Sequence, residues 1–387
     1  MSHSTRVRLT LGGAIAALIT LAGAGMFAQG GSGQGGQGSR GNQNLPPPVE
    51  LAATNAMTNP YRMLENWPHL GDIKPGAAIG IISDGKGGVW LQHRSVPAIL
   101  HLDSSGDIVK RFDVAFSSSH GFCRDQDGNL WAVDSGPFYD GPDVGVKGSQ
   151  VFKFSPDGKL LLTLGQAGVS KIGPDTFLQP TACRATPDRN ILIADGHWPR
   201  PSSFRQDGDR LVTYTRDGKF IKEFGRCGRK PGEFMGPHGL AFDSKGRLFV
   251  ADRSNNRIQI FDKDMTVVDE WKHFGRPSGV WILKDDTLIV SDSESNNRIG
   301  GPDEAPEGGG LGIHNPGWKN GIRIGSAKDG SLKYFIEGTR PEGLAADELG
   351  NIFGGLTNGC DTSRSGGCLQ KFVKKESSAK SKSTASK

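Results

Sequence analysis

Residue types able to hold a metal ion recur at one position of a repeat. His120 begins the segment His120-Gly-Phe-Cys-Arg-Asp-Gln-Asp-Gly-Asn-Leu-Trp-Ala-Val-Asp134. His238 begins His238-Gly-Leu-Ala-Phe-Asp-Ser-Lys-Gly-Arg-Leu-Phe-Val-Ala-Asp252. Thr181 to Asp195 and Ser278 to Asp292 fit the same frame, and weaker copies run from Ile79 to His93 and from Glu342 to Leu356. The first position of the frame is therefore Ile79, His120, Thr181, His238, Ser278 and Glu342 in turn. Two imidazoles and a carboxylate form a ligand set for a catalytic zinc, which keeps a coordination position open for water or substrate. A lone histidine at a strand start is usually a hydrogen-bonded structural residue. Two at the same position of alternate repeats are less easily read that way. For Glu342 the other reading is a salt bridge to a nearby arginine.

These residues need a scaffold, and the frame describes one. Each copy is an apolar strand, a polar glycine turn and a second apolar strand, in most copies ending in Asp. Most copies continue into a third and fourth strand, as in Val151-Phe-Lys-Phe followed by Ser-Pro-Asp-Gly and Leu160-Leu-Leu-Thr-Leu. Six such units, each of roughly 40 to 60 residues, predict an all-β, six-bladed β-propeller. The 57 glycines and the absence of a long 3.6-residue apolar period agree with that fold class. The sixth copy has a third strand, Leu369–Val373, and no clear fourth. The segment Tyr61–Trp67, upstream of the first copy, is expected to supply it, closing the ring and protecting its edges. In a propeller the first strand of each blade lines the axis. The frame then sets its six first residues around one channel mouth. His120, His238 and Glu342, on alternate blades, converge on a divalent metal, with zinc the expected ion.

Within the fourth copy, Ala251-Asp252-Arg253-Ser-Asn-Asn-Arg257-Ile-Gln-Ile-Phe261 resembles the NHL repeat. The order of His93-Arg94, His120-Gly, Gln179-Pro180-Thr181, Ala194-Asp195-Gly196, Pro237-His238-Gly239 and Ala251-Asp252-Arg253 resembles the peptidyl-α-hydroxyglycine α-amidating lyases and their bacterial relatives. The resemblance implies active-site roles for Arg94 and Arg253, which lie on opposite blades. They would hold a carboxylate or polarise an oxygen. For Arg253 an ion pair with a neighbouring Asp is the other reading. His197 stands where the family carries its catalytic tyrosine. A neutral imidazole there could be a base, a fourth ligand or a substrate contact. The chain departs from the family again at Glu342, where the family has His, and at Gly343, where the family's structural calcium needs Asp. Calcium is therefore possible but has no support from the residue at that position. Leu178 and Trp198 stand where the family has paired cysteines.

Three functions fit this reading. A metal-dependent lyase would cleave a peptidyl-α-hydroxyglycine-type carbinolamide to an amide and glyoxylate. A metallo-propeller hydrolase of lactonase type would suit Glu342. A non-catalytic propeller would bind a ligand or a protein. In each case a small-molecule or peptide ligand is expected on the face bearing the long loops Ser135–Gln150, Gly196–Arg210 and Ser293–Gly321. Those loops carry Tyr139, Trp198, His314 and Trp318, and Gly308–Gly310 could let the last one move as a lid. Solvent-exposed decoration is the bland alternative.

The ends of the chain have a different character. Arg6 and Arg8 precede an apolar run from Leu9 to Phe27, and residues 1–28 read as an export signal cleaved after Ala28. An uncleaved anchor is the other reading. Residues 29–56 form a Gly/Gln/Pro-rich linker, 57–373 the propeller and 374–387 a basic, disordered tail. The protein is expected to be periplasmic or extracellular, with no membrane contact after cleavage. Net charge is +5, but the ends produce it and the rest is near neutral, which argues against nucleic-acid binding. None of the five cysteines forms a CxxC pair. Cys360 and Cys368 flank a short Gly/Ser loop and would pair in an oxidising compartment, or stay as two thiols.

Overall fold

In the polar turn of the frame, an aspartate side chain sets the path. Asp125 Oδ1 accepts from the backbone N–H of Asp127 and Asn129 at 3.0 and 2.8 Å. Asp243 does the same for Lys245 and Arg247, and Asp347 for Leu349 and Asn351. These three turns thus carry their own template, Thr186 Oγ1 accepts from Asn190 N–H in the turn of blade three, and the strands on either side enter an antiparallel ladder. The computed structural model describes residues 52–136, 143–197, 208–296, 315–357, 360–361, 363 and 366–376. The expected export signal, most of the expected linker and the end of the expected tail lie outside them. So do Tyr139, Trp198, His314 and Gly308–Gly310.

The described strands form six antiparallel sheets of four. Their first strands are Ala78–Ser83, Ser119–Arg124, Pro180–Ala185, Pro237–Phe242, Pro277–Ile282 and Gly343–Ala346. These innermost strands lie side by side around an axis, and the first also packs against the last. A Cβ added to Gly343 would lie 2.0 Å from the Ile79 carbonyl oxygen. The protein is a six-bladed, all-β propeller, and among the described residues the sole helical element is the 3-10 turn Arg253–Asn255. In five blades the strands follow chain order. In the sixth the outermost strand is Tyr61–Met63, which pairs with Leu369–Lys374 in the register Tyr61↔Lys374 and Met63↔Phe372. This strand is shorter than the expected Tyr61–Trp67. After Met63 the chain turns inward and Trp67 is buried against Phe353.

The core is divided among the blades. Among the described residues six apolar clusters are present, one at each blade–blade boundary. Phe249, Ile258 and Ile260 of blade four meet Val280, Leu288 and Val290 of blade five, for example. Each sheet is therefore covered on both faces, which explains why the second strands are apolar runs without alternation. Cys123 and Cys183 form a disulfide between the first strands of blades two and three. Sequence reading missed it, although the repeat already put both thiols on neighbouring inner strands. Cys360 and Cys368 form the second disulfide.

Candidate metal centre

The 14-residue spacing of the frame has a structural cause. The aspartate that closes it pairs across the hairpin with the residue just before the frame's first position: Asp134 with Ser119, Asp195 with Pro180, Asp252 with Pro237 and Asp292 with Pro277. Its carboxylate then accepts from the chain leading into the inner strand. Asp134 takes the N–H of Ser117 and Ser118, Asp195 those of Leu178 and Gln179, Asp252 that of Met235 and Asp292 that of Arg276. An arginine from the third strand backs three of them: Arg210 on Asp195, Arg257 on Asp252 and Arg323 on Asp292. The neighbouring-Asp ion pair considered for Arg253 is made by Arg257.

Immediately after this clamp the ladder breaks. Pro237 pairs with Asp252 and Gly239 with Ala251, so His238 is an extra residue with no partner. Thr181 and Ile79 are extra residues in the same way, and the register also slips across His120 and Ser278. A β-bulge at this position in five blades turns the side chain out of the sheet toward the axis. The glycine that follows lets the next blade approach: a Cβ on Gly239 would lie 2.7 Å from the Ser278 carbonyl oxygen.

The side chains so presented meet. One nitrogen or oxygen from each of His120, His197, His238 and Glu342 lies within 4.8 Å of the others, and all four residues are buried. His120 Nδ1 is 2.6 Å from the Thr181 carbonyl oxygen and His238 Nδ1 is 3.1 Å from that of Ser278. A carbonyl only accepts, so both Nδ1 atoms carry the proton and both Nε2 atoms hold a lone pair when the rings are neutral. Those Nε2 atoms face Glu342 Oε1, at 4.0 Å from His120 and 2.8 Å from His238. His197 comes from blade three, just past Asp195, with its ring 4.9 Å from that of His120 and 5.6 Å from that of His238. The three ligand positions read from the repeat are thus brought together, and His197 joins them.

Arg253 is fully buried behind the carboxylate. Its Nη1 lies 3.0 Å from Glu342 Oε1 and 3.5 Å from Glu294 Oε1. Glu294 also takes Nε of Arg276 at 2.8 Å. An alternating chain, Arg276–Glu294–Arg253–Glu342, therefore runs into the site. The salt-bridge reading of Glu342 and the ligand reading coexist, because a carboxylate has about four lone-pair positions. Glu294 and Arg276 were missed in the sequence. The available signal was that Glu294 lies two residues past Asp292, in the loop position adjoining that of Arg94 and Arg253. Arg94 is exposed, and its Nε donates to the Ser119 carbonyl at 3.2 Å, beside the strand of His120. Trp318, expected among the ligand-facing aromatics, is instead buried under the Arg323 guanidinium, 5.0 Å from the ring centre, and serves the fold.

The electrostatics favour neutral rings around an ionised acid. Burial, followed by the Arg253 charge, lowers the pKa of His238 and holds that of His197 well below the ordinary histidine value. Burial and the neighbouring His238 do the same for His120. For Glu342 burial works against ionisation, yet its pKa is held well below the carboxylate range, and the Arg253 guanidinium is among the groups that favour the anion. Glu294 is similarly buried, yet Arg253 and Arg276 bring its pKa down to about 2.

The NHL repeat family model matches residues 234–261, the part of blade four that carries His238, Asp252 and Arg257. The chain is similar to NHL repeat-containing protein 3 of Homo sapiens, with 29% identity over 222 residues, 54% of this chain and 58% of that protein. It is similar to peptidyl-glycine alpha-amidating monooxygenase of Mus musculus, with 35% identity over 172 residues, 42% of this chain and 16% of that protein. It is also similar to the probable peptidyl-alpha-hydroxyglycine alpha-amidating lyase pgal-1 of Caenorhabditis elegans, with 25% identity over 166 residues, 42% of each. The chain thus spans well under two thirds of the length of these relatives.

Proposed function

We propose that this six-bladed propeller, which carries an NHL repeat and is related in sequence to the amidating enzymes, is an exported metal-dependent lyase. Its substrate would be a peptidyl-α-hydroxyglycine-type carbinolamide, split into an amide and glyoxylate. One observation carries the reading. His120 and His238 both turn their protonated nitrogen into a carbonyl, so two lone pairs and a carboxylate face one another in a buried space. Acceptors with no proton between them repel, and a cation among them removes the repulsion. The donor set fits zinc: its bonds of about 2.0–2.2 Å place neighbouring ligand atoms roughly 3.3 Å apart in a tetrahedral site. The spread of 2.8 to 4.0 Å from Glu342 Oε1 to the two rings brackets that value. Anchoring of the second ring nitrogen by a backbone carbonyl is the usual support of a histidine ligand.

A divalent metal held by His120, His238 and Glu342 would supply Lewis-acid polarisation of the substrate oxygen. The remaining work falls to the protein. Arg94, at the mouth, binds the substrate carboxylate. His197, neutral, takes the proton of the carbinol hydroxyl. As the C–O bond becomes C=O, the C–N bond breaks and its electron pair passes to nitrogen. The proton is returned there, giving the amide and glyoxylate. Arg253, with Glu294 and Arg276 behind it, keeps Glu342 ionised and oriented. The two disulfides support export to an oxidising compartment.

Elemental analysis of the purified protein should find about one zinc-like ion per chain and none in His238→Ala. Glyoxylate release from an N-acyl-α-hydroxyglycine should then fall about 10²–10⁴-fold in His197→Ala while the metal stays. A protein without metal sinks the proposal. A metal-loaded protein that releases no glyoxylate but opens a lactone supports the hydrolase reading, which Glu342 in place of histidine favours.

A further inference from the structure

The axial cavity continues away from the metal-ligand cluster, and its far end holds a cation with no counterion. The cavity, of about 60 Å³, is walled first by Ile79, Thr181, His238, Ser278 and Glu342. One turn of the pleat deeper, it is belted by Ile81, Phe122, Cys183, Leu240, Val280 and Leu344. These are the residues two places past the frame's first position in each blade, and all six are apolar. One residue further stand Arg184 of blade three and Trp281 of blade five, both also in the wall. Three residues of extended strand put them ~10 Å below the cluster.

The Arg184 guanidinium lies over the Trp281 ring, 4.8 Å from its centre. Among the described residues no carboxylate lies within ion-pair distance of it and no oxygen accepts a hydrogen bond from it. Desolvation alone pushes its pKa down to about 10, with no acidic group opposing the shift. The two buried arginines beside the metal-ligand cluster have acceptors: Arg253 has Glu342 and Glu294, and Arg276 has Glu294. A stack on Trp281 uses one face of the guanidinium and leaves its five N–H donors along the edge. Arg184 and Trp281 are both half-buried, so these donors face the open end of the channel, where an entering anion can reach them.

We propose that the axial channel carries a second site, distinct from the metal-ligand cluster, in which Arg184 and Trp281 bind a small monocarboxylate. A planar carboxylate satisfies two donors of the fork at once, which a spherical halide does not. The cavity has room for roughly four water-sized groups, enough for a carboxylate of formate size with one water. The apolar belt above it selects against dianions, which would enter without any second cation. This site stands independently of the chemistry proposed for the cluster.

Isothermal titration of the full-length protein with sodium formate, in a buffer free of other carboxylates and of chloride, tests it. The wild type should show a binding event that Arg184→Gln weakens by ~10-fold or more, the effect of losing a charge-assisted pair. Arg94→Gln, at the other end of the channel, should retain that event. Arg184→Lys keeps the charge but loses the fork; it should fold as the wild type does and bind formate more weakly. Formate binding unchanged in both Arg184 variants, or lost in Arg94→Gln instead, overturns the proposal. So does absence of formate binding to the wild type, or its full displacement by equimolar chloride, which would make this a halide site.

Discussion

Blades two and four differ from blades three and five at one residue of an otherwise shared backbone. All four have the aspartate clamp and the register slip at the same place. In the even blades the bulged residue is His120 or His238, whose ring reaches the axis. In the odd blades it is Thr181 or Ser278, whose hydroxyl is occupied locally, on the Pro237 carbonyl and on Ser293. The odd blades nevertheless contribute, because their main-chain carbonyls receive the Nδ1 protons of the histidines before them. The alternation is therefore a division of labour: even blades bring the side chains, and odd blades fix the tautomer and angle of those side chains through backbone atoms. The sixth blade departs from both. It has Glu342 at the frame position and Leu356 where the clamp would be, and it borrows its outer strand from the other end of the chain.

This contrast can be broken in several places. The largest expected effect is on metal content. His120→Ala should leave the purified protein with little bound metal by mass spectrometry, since a three-ligand site loses a third of its donors. The clamp comes next, and there the two kinds of blade should behave alike. Asp252→Ala and Asp195→Ala each remove the buried partner of an arginine Nε, leaving Arg257 on Glu270 and Arg210 on Glu223, and each orphans at least one backbone N–H. Both should lose ~1–3 kcal/mol in equilibrium denaturation, the cost of unsatisfied buried donors. A near-neutral result for one of them would mean that the repeats are not equivalent scaffolds.

Asp209 gives a smaller, pH-dependent effect. It lies on blade three, packed against Gly196 beside His197, and burial raises its pKa to about 7 despite a hydrogen bond from the Gly236 backbone. The folded pKa is above the unfolded value of about 3.9. Folding therefore favours the protonated form, and this group's contribution is lost as pH rises from about 4 through about 7. Urea midpoints at pH 5 and pH 8 should differ more in the wild type than in Asp209→Asn. Equal differences in the two proteins would remove Asp209 from the account. The smallest effect is expected from Thr181→Val. The carbonyl that holds His120 is main-chain and survives, so metal affinity should change less than ~10-fold, the lower end of what loss of a supporting partner costs. A larger loss would transfer the supporting role from the carbonyl to the hydroxyl.

Much of this was legible in the residues because propeller repeats are local. A hairpin with a 14-residue spacing needs only its own turn aspartate, its apolar strands and its closing aspartate. These lie in one stretch of chain, and from them follow the blades, their number and the placement of His120, His238 and Glu342 at one mouth. His197 and Arg94 were found through the resemblance to the lyases. The missed features join distant stretches. Cys123 and Cys183 are 60 residues apart in sequence. Glu294 matters only because Arg253 is turned toward it, and Arg184 only because nothing acidic is.

By itself, then, the sequence determined the repeat: which segments are strands, where each turn falls and which side chain stands first in each blade. Tertiary structure decided what those side chains do. The bulges that swing His238 and its counterparts to the axis are slips of hydrogen-bond register between two strands, and residue types do not record them. The protonation of each imidazole is set by a carbonyl in the next blade. The buried company of Glu342 is set by how closely glycine allows six strands to crowd around one line. Hydrogen bonds and charge pairs act through space over a few ångströms, and only the closed arrangement of blades brings residues from four repeats within that range.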